Sequence, residues 1–82
     1  MRKADSFRIQ HMLDAANLAI KLAQDRTRID LDEDVMLRLS LVKLVEIAGE
    51  AASQVTEAAR MSFPEVPWED IVSTRHHLVH AY

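Results

Sequence analysis

The sequence predicts an all-α fold: a small antiparallel bundle of three main helices joined by short loops, in a single domain over residues 1–82. Three observations carry that expectation. Gly and Pro are scarce, one and two in 82 residues, and both prolines fall in one short stretch. These residues punctuate loops, so few breaks are available. Apolar residues recur at spacings of three and four, the period of a helix face. No internal repeat or low-complexity segment interrupts that pattern.

The first helix is expected over about residues 6–25. Ile9, Leu13, Ala16, Ile20 and Ala23 form its apolar face, and Asp5 or Ser6 serves as its cap. Residues 27–31 read as a connection. Asp30, Asp32 and Asp34 then supply cap and first-turn acids for a second helix, where exposed N–H groups favour negative charge. That helix is expected over about residues 32–60. It carries two adjacent stripes, Val35, Leu39, Val42 and Gly49 beside Leu37, Leu41, Leu44, Ala48, Ala51 or Ala52, and Val55. So wide an apolar face implies contacts on two sides. Gly49 costs a helix up to about 1 kcal/mol relative to Ala, which calls for a packing reason. Lys43, Glu46, Glu50 and Glu57 make a charged stripe on the same helix. Residues 61–67 hold the breakers Phe63-Pro64 and Val66-Pro67. Pro67 suits the first position of a third helix that runs from Trp68 to near the end, with Trp68 as its core anchor.

Composition narrows the function classes. A chain of 82 residues buries only roughly 60–65% of its unfolded surface, so an isolated monomer is marginal and oligomerisation is a remedy. With no cysteine, disulfides and thiolate metal sites are excluded. No apolar run approaches the roughly 18–20 residues of a membrane span, and no signal core follows the N-terminus, so a cytoplasmic protein is expected. The net charge of −3 argues against broad electrostatic binding of nucleic acid. It leaves room for a small enzyme that grips one phosphate. After Asp70 there is no acidic side chain, only Arg75 and three histidines.

The reactive groups concentrate in Arg75-His76-His77-Leu78-Val79-His80-Ala81-Tyr82. Histidine suits proton transfer near neutral pH, and arginine suits charge on a phosphoryl oxygen. A metal-independent ribonuclease needs both. A base takes the proton of the ribose 2′-OH, an acid protonates the leaving 5′-oxygen, and a fixed cation steadies the crowded phosphorane. Arg75 and His80, however, point roughly 140° apart on a regular helix. Either the helix becomes irregular near Val79, or a second copy of the chain completes the site. His76 and His80, four apart, also suit zinc, but no acid or cysteine lies nearby to complete such a site. His77 reads as solvent-facing or as a substrate contact. His11 reads as an ordinary helix residue.

Residues from about 41 to 82 resemble the HepT-type branch of the HEPN superfamily. The likeness rests on Glu46-Ile47-Ala48-Gly49-Glu50-Ala51-Ala52, on Phe63-Pro64-Glu65-Val66-Pro67-Trp68, and on the Arg-x4-His-x-Tyr series from Arg75 to Tyr82. The resemblance implies a homodimeric, metal-independent endoribonuclease toxin with composite sites at the dimer cleft and no cofactor. On the matching positions Arg75 and His80 would be catalytic. His76 stands where the family usually has Asn, and His76 and His77 are candidate substrate-binding or supporting residues; on the charged stripe, Glu46 or Glu50 is a candidate to orient the catalytic arginine or to line the dimer cleft. Tyr82 would receive AMP from the partner antitoxin, an MNT-type nucleotidyltransferase using ATP, and the added charge would block RNA. The family continues a few tens of residues past this tyrosine, so the chain is expected to lack the C-terminal segment. The alternative is a non-catalytic HEPN-like module that docks on the nucleotidyltransferase, and a plain helical dimerisation unit is a third reading.

Overall fold

In a computed structural model, which describes residues 2–81 and only the backbone at 78–81, the chain forms five helices. They are α1 (Lys3–Ala23), α2 (Arg28–Glu33), α3 (Val35–Ser53), α4 (Glu57–Met61) and α5 (Trp68–Ala81). The three long ones are the three expected from the sequence. No strand occurs among the described residues. Helix α3 is central, with α1 on one side and α5 on the other, which explains the width of its apolar surface.

Helix α1 starts earlier than expected. Arg2 is its N-cap and supplies no side-chain hydrogen bond. Asp5, expected as a cap, instead lies within the helix and is only 1% exposed. Its carboxylate accepts hydrogen bonds from the Thr56 N–H (2.8 Å) and the Thr56 hydroxyl (2.7 Å). The N–H of Thr56, more than any other neighbour, holds the Asp5 carboxyl below its ordinary range. The buried face is also rotated from the expected one. Met12 and Ala15 are buried, whereas Leu13 and Ile20 are 45% and 68% exposed. The reason is the surface opposite. Met12 and Ala15 pack into one buried cluster with Ala48, Ala51 and Ala52 of α3, whose small side chains leave room there for the longer Met12.

The connection at 27–31 holds a helical turn of its own. The Thr27 hydroxyl accepts from Asp30 N (3.2 Å), and Asp30 Oδ2 accepts from Thr27 N (2.8 Å), a reciprocal capping box. Asp34, not Asp32, caps α3 by accepting from Leu37 N (3.0 Å).

The expected second helix is two helices. It breaks after Ser53 and restarts at Glu57, with the Thr56 hydroxyl capping α4. Arg60 satisfies the carbonyls freed by the break, donating to Ala52 O (2.9 Å) and Val55 O (3.2 Å). Its guanidinium also lies 5.8 Å from the centre of the Trp68 ring. Trp68 is buried as expected, and its indole N–H donates to Phe63 O (3.1 Å). Pro67 sits one residue before α5, and its carbonyl accepts from Ile71 N (3.1 Å). The core is Met12, Ala15, Ala48, Ala51, Ala52, Val55, Ala59 and Trp68, with Ile9, Leu44, Ile47, Phe63, Val66, Ile71 and Val72 around it. Among the described residues no helix is long and apolar enough to cross a membrane.

Candidate active site

The site begins at the crossing of α3 and α5. A Cβ placed on Gly49 would collide with Arg75 Cβ and lie 3.1 Å from both Arg75 Cγ and Ile71 O. Only glycine admits this approach, which supplies the packing reason for its place in mid-helix. The crossing delivers the Arg75 side chain beside the residue that follows Gly49 on α3. There Arg75 Nη2 meets Glu50 Oε2 at 2.9 Å. The other oxygen of Glu50 accepts from Gln54 Nε2 (2.8 Å), and the backbone carbonyl of Gln54 accepts from Arg8 Nη1 (3.2 Å). A line of polar contacts thus joins α5, α3 and α1.

These groups line a cleft of ≈ 410 Å³ between α1, α3 and α5, walled also by Phe7, His11, Lys43, Glu46 and Ile47. The Arg75 and Glu50 side chains are 34% and 47% exposed. A pair so open to solvent contributes at most about 1 kcal/mol to stability. Its consequence is orientation: Nη2 is fixed on Glu50, and the Arg75 side chain lines the cleft. Arg75 Nε is buried and makes no hydrogen bond among the described residues.

Of the two carboxylates considered as partners for Arg75, Glu50 makes the contact and Glu46 pairs with Lys43 (3.8 Å). Glu57, grouped with them in the sequence, belongs to α4. His76 and His77 are exposed, and their rings meet edge-on with centroids 6.4 Å apart. The backbone of α5 stays helical through Ala81, so the irregularity considered near Val79 is absent. The side chain of His80, and all of Tyr82, lie outside the described residues. Nothing in the sequence marks Arg8, Phe7 or His11 as site residues. All three are on α1, and their place in the cleft depends on how α1 crosses α3, which helix periodicity does not encode.

The family described as ribonuclease HepT-like matches residues 12–82. The chain belongs to this family. A candidate RNase of Methanocaldococcus jannaschii is 32% identical over 71 residues, covering 87% of this chain and 65% of its own length. A provisionally named ribonuclease HepT of Thermococcus cleftensis is 31% identical over 68 residues, covering 78% of this chain and 62% of its own. A candidate RNase of Caldanaerobacter subterraneus is 28% identical over 74 residues. The chain therefore spans just under two-thirds of the length of the first two. No solved structure matches it. The HepT-like match takes in Glu46, Glu50, Arg75, His76, His77, His80 and Tyr82, and begins just after His11.

Proposed function

We propose that this HepT-like chain is a metal-independent endoribonuclease whose working site combines Arg75 of one protomer with His80 of a second. The observation that carries the reading is the fixed guanidinium of Arg75 at the cleft, held by Glu50 on a helix that stays regular past residue 80. On such a helix positions 75 and 80 lie roughly 140° apart around the axis, which favours a site completed by a second copy of the chain. His80 serves the proton transfers at the 2′- and 5′-oxygens, and Arg75 stabilises charge on the phosphorane. Attack of the 2′-oxygen leaves a 2′,3′-cyclic phosphate, with no metal in the chemistry. His76 and His77, exposed on the same helix, contact the RNA. In the full reading the protein is a cytoplasmic toxin. Its antitoxin is an MNT-type nucleotidyltransferase, which moves AMP from ATP to the Tyr82 hydroxyl, releases pyrophosphate, and places anionic charge beside the cleft.

The test is RNA cleavage in EDTA with cyclic-phosphate product analysis. Removing a charge-stabilising donor of this kind costs about 10²–10³-fold in rate, so Arg75→Ala is expected to fall by that much. His80→Ala is expected to be inactive. Mixing the two inactive variants rebuilds one intact site in each mixed dimer, so about a quarter of the wild-type activity returns if the site is shared between protomers. No recovery on mixing, or a requirement for metal, overturns the mechanism. The same protein incubated with ATP and its nucleotidyltransferase gains the mass of AMP on Tyr82, and Tyr82→Phe does not. Binding to that enzyme with no RNA cleavage would instead favour the docking module.

A further inference from the structure

The ribonuclease reading uses one wall of the cleft. The opposite wall is α1, and its composition is unusual for a solvent-facing helix. Phe7 is 75% exposed and stands between two hollows, the Arg75 cleft and a smaller one of ≈ 170 Å³ lined by Gln10, His11 and Asp14. His11 borders both hollows and makes no hydrogen bond among the described residues. Arg8, also on α1, and Lys43 of α3 line the same cleft as Phe7 and His11. Two carboxylates, Glu46 and Glu50, oppose three cationic side chains there; Glu46 pairs with Lys43 and Glu50 with Arg75, which leaves the charge of Arg8, whose guanidinium donates to the neutral Gln54 carbonyl, in excess. Asp14, beyond His11, is engaged by the Gln10 amide at 2.8 Å. The cleft therefore offers surplus positive charge beside a bare aromatic ring, in a chain whose overall charge is −3.

That combination suits one ligand chemistry. An exposed aromatic face binds an unstacked base, and neighbouring cations bind the phosphate that follows it. A duplex keeps its bases stacked and offers no such face, so the ligand is single-stranded. A cleft of ≈ 410 Å³ lies in the range of about 300–1,000 Å³ that small-ligand sites occupy, enough for a nucleotide.

We propose that Phe7, Arg8 and His11 of α1, with Lys43 of α3, form a nucleotide subsite for single-stranded RNA next to the phosphate addressed by Arg75. Phe7 stacks on the base, Arg8 and Lys43 hold the adjoining phosphate, and His11 hydrogen-bonds the ribose or phosphate between them. The subsite rests on the ribonuclease reading for its substrate, but its binding is measured apart from cleavage.

The experiment is fluorescence anisotropy of a labelled single-stranded RNA, 2′-O-methylated throughout. Such an RNA has no attacking hydroxyl and cannot be cut. Stacking of one base on an aromatic side chain corresponds to about a 5- to 150-fold change in affinity, so Phe7→Leu is expected to weaken binding about tenfold. Phe7→Trp retains it, which a merely apolar role would not require. Losing one phosphate contact lowers the salt dependence by about one unit of slope, the expected result for Lys43→Gln. His11→Gln weakens binding without altering the slope. The melting temperature of Phe7→Leu stays at the wild-type value, because the ring is exposed. If Phe7→Leu and His11→Gln bind like wild type while Arg75→Ala does not, the subsite is wrong. It is also wrong if Phe7→Leu changes the particle mass in light scattering, since the ring is then a protein contact. Binding that depends on Phe7 in a protein that cuts no unmethylated RNA keeps the subsite and removes the ribonuclease. Cleavage that ignores Phe7 does the reverse.

Discussion

At the scale of single residues, the distance between Gly49 and Arg75 governs the site. Gly49→Ala sets two effects against each other. Alanine improves the helix by up to about 1 kcal/mol. The new methyl group meets Arg75 Cβ and the Ile71 carbonyl, atoms that move only if α5 moves, and overpacking of this kind costs about 1–3 kcal/mol. The expected net result is a lower urea midpoint together with slower RNA cleavage, because the shift carries Arg75 away from Glu50. An unchanged or raised midpoint would mean that α5 yields easily. Part of this was legible in the sequence. Glycine in mid-helix signalled close approach, and Glu46 and Glu50 both stood out as partners for the arginine. Choosing between them was not possible from sequence. They lie four apart on one face, and the choice depends on the axial offset of α5, which the Gly49 contact sets.

At the scale of elements, the helix periods were legible and the helix ends were less so. The run from 35 to 60 keeps its apolar spacing across the break at Gln54–Thr56, so periodicity alone reads one helix. What ends it is local hydrogen bonding: Thr56 caps α4, and Arg60 gathers the carbonyls of Ala52 at the end of α3 and of Val55 just beyond it. The signal available was Thr56 followed by an acid in the first turn, a pattern equally at home inside a polar helix face. The sequence offers Asp5 or Ser6 as the cap of α1, whereas the partner of Asp5 is 51 residues away. This tie has a pH signature. The folded carboxyl of Asp5 sits below its ordinary value, chiefly through the Thr56 N–H, so the unfolded chain takes up a proton first as pH falls. The contribution is complete above the ordinary carboxyl value of about 3.9 and is lost as pH drops through the lowered one. Asp34, lowered chiefly by the Leu37 N–H, acts in the same direction. Asp5→Asn is expected to lower the urea midpoint at neutral pH and to flatten its decline below about pH 4. A variant with the wild-type acid profile would show that Asp5 is not the group responsible.

At the scale of the whole molecule, the chain measures 42 × 25 × 19 Å with a radius of gyration of 13.7 Å, longer than the roughly 12 Å of a compact chain this size. Five of its eight core residues are alanines, and large apolar side chains such as Ile20, Met36 and Leu39 stay more than half exposed. The small core was legible from length, as was the expectation of contacts on two sides of the central helix. Those two sides are filled by α1 and α5 of the same chain, so the width of the face does not by itself call for a second copy. The Asp5–Thr56 tie also separates the molecule in time. It fastens the start of α1 to the start of α4, enclosing α1 to α3 in a covalent loop shut by two hydrogen bonds, while α5 hangs outside that loop and rests on α3. Amide hydrogen exchange is therefore expected to show α5 opening at lower free energy than α1 and α3, and equal protection throughout would refute that order. On the ribosome the closed portion can assemble while the residues after Thr56 are still being made. The helix that carries Arg75 then settles onto a bundle that has already closed, and Arg75 has no fixed place until it does.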